Sequence, residues 1–251
     1  MLELDLLKEI STAKKAALLS GKHLKKNKKD LNKIASSDPR DTKLEADVAS
    51  ENLIKEIINE NSNFEILAEE SGKSSENLGD TFWVIDPLDG TANYNRDIPI
   101  CCVSIGMIKD MKPLFGVIYD FNSDEIYCGD CINKVATLNN SPIQISKVDD
   151  KKDGVLITGL PFNTDYSDAS LRNLIIDMQS WKKTRMIGSA AMASCYIASG
   201  KAELYKEKGI YLWDILAGAA IVEAAGGLAE IKNVRDNYQV DVTFSNQKIK
   251  G

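Results

Sequence analysis

An α+β half followed by an α/β half is the fold class this sequence predicts, with the boundary near residue 145. Three observations lead to it. Apolar residues recur at helical spacing twice within the first 61 residues. Short apolar runs separated by turn residues then follow one another as far as residue 128, which favours a meander over strict strand–helix alternation. Beyond a polar stretch at 139–154, strand-like and helix-like segments alternate. The length, 251 residues, suits one large domain or two closely packed halves, here 1–145 and 146–251.

Leu4, Leu7, Ile10, Ala13, Ala17 and Leu18 share one helical face, so a long first helix is expected over 2–26. Residues 36–42 are polar, include Pro39 and read as a loop. Val48, Leu53, Ile54, Ile57 and Ile58 mark a second helix from Leu44 to the Asn-rich sequence near Asn61. Two short apolar runs follow, 64–68 leading into Glu69-Glu70 and 82–85 leading into Asp86. Strands are expected at 101–108, 114–120 and 125–128. In the second half a strand at 155–158 precedes a helix around 170–178, and Gly188-Ser189 opens a small-residue helix that runs through Ser199. A strand at 202–205, a helix at 213–225 stopped by Gly226-Gly227, and a strand at 228–231 complete the reading.

Composition narrows the function. With 43% apolar and 27% charged residues, the chain has the make-up of an ordinary soluble globular protein. Met1-Leu2-Glu3-Leu4-Asp5 carries acids where a signal peptide needs a basic start, and no run approaches the roughly 18–20 apolar residues of a membrane span. Five cysteines, an odd number, argue against a disulfide-stapled secreted scaffold, so a cytoplasmic location is expected. A net charge of −6 argues against a nucleic-acid polymer as partner. The basic cluster Lys22-His23-Leu24-Lys25-Lys26-Asn27-Lys28-Lys29 has no interleaved aromatic and reads as the solvated end of the first helix.

The segment Trp83-Val84-Ile85-Asp86-Pro87-Leu88-Asp89-Gly90-Thr91-Ala92-Asn93-Tyr94 carries the chemistry. An apolar strand delivers Asp86 at its end, Pro87 stiffens the exit and Gly90 permits a tight turn. Asp86 and Asp89 can then face one another across a short loop, with the Gly90 and Thr91 amides free to meet an anion. Taken alone, the segment reads equally well as a plain turn. That reading weakens beside Ile66-Leu67-Ala68-Glu69-Glu70, a second apolar run ending in acids, and Trp213-Asp214-Ile215, an acid in the first turn of an apolar helix. Carboxylates within ~4 Å repel by about 1–4 kcal/mol per pair at effective dielectric constants of 80 to 20, so a cation must join them. Oxygen ligands without His or Cys favour Mg²⁺ or Mn²⁺ over zinc.

With Ala68-Glu69-Glu70-Ser71 before it and Trp213-Asp214-Ile215-Leu216-Ala217-Gly218 after it, Asp86-Pro87-Leu88-Asp89-Gly90-Thr91 resembles the inositol monophosphatase family, part of the lithium-sensitive, magnesium-dependent phosphatase superfamily. The resemblance runs from Asp47 to Gly227, with all three motifs in order. It implies a layered αβαβα sandwich, most metal ligands in the first half, and a homodimer. It also implies that Glu69, Asp86 and the Leu88 carbonyl hold one Mg²⁺ and that Asp86, Asp89 and Asp214 hold a second. A third, weaker ion is expected, with Glu69 helping through water. Thr91, oriented by Asp47, would position the attacking water. Asp89, Gly90, Thr91, Gly188, Ser189, Ala190 and Glu207 would meet the substrate; for Glu207 an exposed acid between Lys206 and Lys208, and for Ser189 a helix cap, are the plainer readings.

The resemblance implies hydrolysis of inositol monophosphate or a related small sugar or polyol phosphate, and Asn93-Tyr94 favours that over the alternative, a 3′(2′),5′-bisphosphate nucleotidase acting on phosphoadenosine phosphate. Lithium inhibition is expected. One departure is the lysine that the family carries ahead of Asp47, for which Lys33 or Lys43 would substitute. His23 is the sole histidine and lies far from the motifs, which disfavours a phosphohistidine or a His-based triad. Cys128-Gly129-Asp130-Cys131 lacks a second pair or a His partner and reads as two reduced thiols, and Cys101, Cys102 and Cys195 read as core.

Overall fold

The computed structural model describes residues 4–37, 42–160 and 165–249. The chain begins with helix α1 (Leu6–Lys26), capped by Asp5, whose carboxylate accepts the Lys8 amide, and a short α2 (Lys28–Leu31). Strands β1 (Ile34–Ser37) and β2 (Thr42–Leu44) then pair antiparallel, and α3 (Glu45–Asn61) follows. Next come β3 (Ile66–Ala68), β4 (Gly72–Lys73), β5 (Thr81–Asp89), α4 (Thr91–Asn95), β6 (Cys102–Lys109), β7 (Lys112–Asp120), β8 (Glu125–Asp130), β9 (Val135–Leu138) and β10 (Ser141–Pro142). The chain continues through β11 (Val155–Thr158), α5 (Asp168–Gln179), β12 (Lys183–Arg185), α6 (Ala190–Ala198), β13 (Leu204–Tyr211), α7 (Leu212–Ala224), β14 (Leu228–Lys232) and β15 (Gln239–Ser245).

Two sheets organise these elements. Eight strands take the order β10-β9-β8-β7-β6-β5-β3-β4, antiparallel throughout except where β3 runs parallel to β5. Five strands take the order β12-β11-β13-β15-β14, with β11 parallel to both β12 and β13. Helices α1 and α3 pack together on one face of the large sheet, while α6 and α7 fill the space between the sheets. On the outer face of the small sheet, Leu156 and Leu204 pack with Trp181, Ile249 and Met178 of α5. The result is a five-layer αβαβα sandwich, as expected. Strand alternation serves both layers at once. Trp83 and Ile85 of β5 join the core under α1 and α3, and Phe82 and Val84 join the core under α6 and α7.

Helix α7 lies unusually close to the large sheet, and glycines make that contact. Gly106, Gly116 and Gly129 are paired neighbours on β6, β7 and β8. A Cβ on Gly116 would fall on the Ala217 carbonyl, and one on Gly129 would fall on Ile221. The bare stripe lets the helix backbone settle on the strands.

The helices expected from periodicity lie where the pattern puts them, within a few residues. Three expectations need correction. The polar segment at 36–42 is not simply a loop, since its ends belong to β1 and β2; residues 38–41 lie outside the described ones. The strand expected at 202–205 is displaced and longer, running from Leu204 to Tyr211, so Glu207 lies within it. Strands β4, β9, β10, β12 and β15 and the short helix α2 were not expected. Among the described residues no helix is long and apolar enough to cross a membrane.

Candidate active site

Asp86 and Asp89 stand three residues apart on β5, and in a regular strand that spacing would send them to opposite faces. A bulge reverses the parity. Asp86 pairs with Ser104 and Asp89 with Cys102, so three steps along β5 oppose two along β6. Pro87, which has no N–H to donate, sits inside the irregularity where no ladder bond is lost. Both carboxylates consequently reach one open pocket of about 770 Å³.

Other elements bring the remaining residues. Glu69 follows the last residue of β3, its amide bonded to the Ile85 carbonyl at 3.2 Å, next to Asp86. Asp214 lies in the first turn of α7, the helix seated on the glycine stripe, and its Oδ2 accepts the Tyr211 amide at 3.0 Å. Glu207 enters from β13, where its Oε2 accepts the Tyr205 hydroxyl at 2.9 Å. Gly159, at the end of β11, leaves the room that this carboxyl occupies, because a Cβ there would strike it. Glu69, Asp86, Leu88, Asp89, Gly90, Thr91, Gly188, Ser189, Ala190, Glu207 and Asp214 all line the pocket.

Thr91 opens α4, and Gly90 ahead of it is left-handed (φ +88°), a position where a Cβ would meet the Ile100 carbonyl at 2.8 Å. The Thr91 hydroxyl has Asp47 Oδ1 at 2.8 Å and the Leu88 carbonyl at 3.0 Å as acceptors. Asp47 Oδ2 accepts the Leu44 amide at 2.7 Å, so the carboxylate is held from both sides. Asp89 caps α6: its oxygens accept the Ala190 and Ala191 amides at 3.3 and 2.8 Å and the Ser189 hydroxyl. Ser189 in turn accepts the Met192 amide at 3.2 Å, so it is the helix cap and an Asp89 partner together.

Electrostatics set these acids apart. Burial, then the charges of Glu69, Asp89 and Asp214, push the Asp86 carboxyl well above the usual carboxylate range. Asp214 is raised by burial and by Glu69 and Asp89. Glu69 is pushed to about 8 by burial and by Glu70 and Asp47. Burial also raises Asp89, against the pull of Ser189 and the α6 amides. Glu207 reaches about 7 through burial, which the Tyr205 hydroxyl opposes.

Among the described residues no three His, Cys, Asp or Glu side chains close around a single point as a finished ion cage. Several oxygens turn to protein donors instead, Asp86 Oδ1 to the Leu88 amide at 3.0 Å and Asp89 to the start of α6. The donor set nevertheless fits a hard divalent cation. It consists of oxygens alone, and Glu69, Asp86 and Asp214 resist ionisation because of burial first and acidic neighbours second, a penalty that a divalent cation offsets.

Sequence reasoning missed Thr158, Gly159, Leu160, Met186, Ile187, Tyr205 and Tyr211, which also line the pocket. They come from the ends of strands in the small sheet, whose short runs carry no chemical signature. Asn93 is a tether as well as a lining residue, its amide donating to the Ile100 and Ile187 carbonyls at 2.8 Å each. Of the two candidate lysines, Lys43 meets Glu70 Oε2 at 2.9 Å, while Lys33 lies 3.8 Å from Glu45 and far more exposed. All five cysteines are free thiols, Cys101, Cys102 and Cys195 being buried, and Cys131 bonds to the Ala220 carbonyl. His23 bonds to Asn27 at the end of α1, away from the pocket.

The match to known proteins agrees with this architecture. The model of the inositol monophosphatase family matches residues 5–238. A protein of Pasteurella multocida named Nus factor SuhB is 36% identical over 72% of this chain and 68% of its own length. An inositol-1-monophosphatase of Synechocystis is 36% identical over 73% of this chain but only 64% of its own length, so the aligned part spans less than two thirds of that relative. The solved inositol monophosphatase of Anabaena superposes with a TM-score of 0.82 at 31% identity, covering 98% of this chain and 93% of that one. The chain belongs to the inositol monophosphatase family.

Proposed function

We propose that this phosphatase hydrolyses inositol monophosphate, or a related small sugar or polyol phosphate, with Mg²⁺ held by Glu69, Asp86, the Leu88 carbonyl, Asp89 and Asp214. The observation that carries the reading is the meeting of Glu69, Asp86, Asp89 and Asp214 with Thr91, itself bonded to the buried Asp47, in one pocket that Glu207 also lines. Bound there, the ions supply a water of lowered pKa and offset charge on the leaving alkoxide; Mn²⁺ can replace Mg²⁺, and lithium inhibits.

The chain's own residues do the rest. Ionised Asp47 accepts the hydrogen bond of the Thr91 hydroxyl, which leaves a Thr91 lone pair to accept a hydrogen bond from the attacking water and fix its direction. The Gly90 and Thr91 amides face the phosphoryl oxygens. The water oxygen adds to phosphorus as the ester P–O bond breaks; one of the water's two protons ends on the departing alcohol and the other stays on the phosphate. Glu207, which lines the same pocket, accepts hydrogen bonds from substrate hydroxyls, and Ser189 and Ala190 line that pocket too, bonded to Asp89. The active form is proposed to be a homodimer.

Phosphate release is to be measured on myo-inositol 1-phosphate, fructose 1,6-bisphosphate, histidinol phosphate and phosphoadenosine phosphate, with and without Mg²⁺. Mg²⁺-dependent turnover of the inositol or sugar phosphate is the expected result. Activity confined to phosphoadenosine phosphate would overturn the substrate class and leave the nucleotidase reading.

A further inference from the structure

Helix α3 touches both acid-bearing loops along a single face. Asp47 holds Thr91, Ser50 Oγ donates to the Pro87 carbonyl at 2.6 Å, and Glu51 Oε2 accepts the Glu70 amide at 2.8 Å. One turn later, Lys55 Nζ donates to Ser71 Oγ at 2.8 Å and stands 3.7 Å from Glu51 Oε1. Residues 47, 50, 51 and 55 fall at the i, i+3, i+4 and i+8 positions of one helical stripe. The stripe is charged and polar where a core-facing helix normally carries apolar side chains, and Glu51 is only 3% exposed. A buried carboxylate is costly unless its bonds matter to the structure around it.

The bond that Glu51 makes falls at a telling place. Glu69 sits at the start of the turn between β3 and β4, and its own amide is fixed to β5 through the Ile85 carbonyl at 3.2 Å. That contact leaves the following peptide to set the direction of the side chain. Glu51 takes the N–H of that peptide, and Lys43 holds the Glu70 carboxylate at 2.9 Å. Glu69 is thereby clamped on both sides of its Cα.

We propose that Glu51 is a positioning residue for the divalent cation: by accepting the Glu70 amide it fixes the peptide that follows Glu69 and aims the Glu69 carboxylate into the pocket. Glu51 touches neither substrate nor metal. It acts through one backbone hydrogen bond, and Lys55, 3.7 Å from its other carboxylate oxygen, helps to orient it.

The proposal rests on Glu69 being a cation ligand, and the test separates the two ideas. Mg²⁺ and Mn²⁺ binding to the full-length protein is to be measured by calorimetry, without substrate, for wild type, Glu51→Ala, Glu51→Asp and Glu51→Gln. Wild type that binds neither ion overturns the functional reading itself. Given wild-type binding, the Ala and Asp variants should raise Kd about tenfold or more, because neither side chain reaches the Glu70 amide. The near-isosteric Gln variant, which still offers an acceptor oxygen, should stay within about threefold of wild type. At saturating Mg²⁺ the KM for substrate should be unchanged in all three. Should the Ala variant fail to fold, the Asp variant carries the test, since it retains the charge. Folded Ala or Asp variants that bind Mg²⁺ like wild type, or a Gln variant as weak as Ala, would overturn the proposal; so would lost urea stability with unaltered metal affinity.

Discussion

Asp86 is the residue on which the proposed chemistry turns, because its ionisation is opposed by burial and by three acidic neighbours together. Replacing it with Asn keeps the shape, and the Oδ1 acceptor for the Leu88 amide, but removes the charge. Asp86→Asn should therefore lose Mg²⁺-dependent phosphate release by roughly 10³-fold or more while its circular dichroism stays that of wild type; undiminished turnover would discredit the site. Thr91 makes a finer test. Thr91→Ala removes the hydroxyl that links Asp47 to the Leu88 carbonyl, and kcat should fall by about 10²-fold with KM little altered. Thr91→Ser, which restores the hydroxyl, should recover most of that loss. Equal damage from both substitutions would point to packing of the methyl group and away from water positioning.

Elements, unlike single residues, decide whether the acids meet at all. Helix α7 carries Asp214 and reaches the pocket only because Gly106, Gly116 and Gly129 leave the sheet bare beneath it. Gly116→Ala puts a methyl group against the Ala217 carbonyl, and α7 must rise to accept it, costing about 1–3 kcal/mol by urea unfolding and lowering Mg²⁺ affinity with it. Gly79→Ala is the control: no atom lies near its would-be Cβ, its left-handed backbone (φ +74°) alone costs about 1 kcal/mol, and metal affinity should be untouched. The same contrast explains what the sequence made legible. The long helices announced themselves because Ile54, Ile57 and Ile58 bury one stripe and leave the other polar. β15 alternates Val240, Val242 and Phe244 with Gln239, Asp241 and Thr243, a pattern that was present and passed over. β12 is three polar residues at a sheet edge and has no pattern to read. The acids at strand ends were visible because apolar runs stop at them. The bulge between Asp86 and Asp89 was not, since it exists only in the pairing with β6. Glu51 was hidden too, for on a helix an acid four residues before a lysine reads as a surface ion pair.

At the scale of the whole molecule the acids form a reservoir of strain that pH and divalent ions control in opposite directions. Asp47 is held at about 6, Glu207 at about 7 and Glu69 at about 8, each raised chiefly by burial. In the unfolded chain such groups titrate near 4. Between those limits the folded state binds more protons than the unfolded one, so stability is greatest below about pH 4 for these groups and declines as pH rises toward about 8. A divalent cation prefers the ionised carboxylates and reverses the slope. In a chelator the Tm should accordingly fall between pH 5.5 and pH 8. Mg²⁺ at about 100 times its Kd contributes about 2.7 kcal/mol, roughly 5–10 °C for a chain of this size, and the gain should be larger at pH 8 than at pH 5.5. Glu69→Gln should reduce the chelator slope and shrink the Mg²⁺ increment together, because this carboxyl contributes to both. An increment equal at the two pH values would mean that the ion binds away from these acids. An unchanged increment in Glu69→Gln would remove Glu69 from the ligand set while leaving Asp86, Asp89 and Asp214 in it.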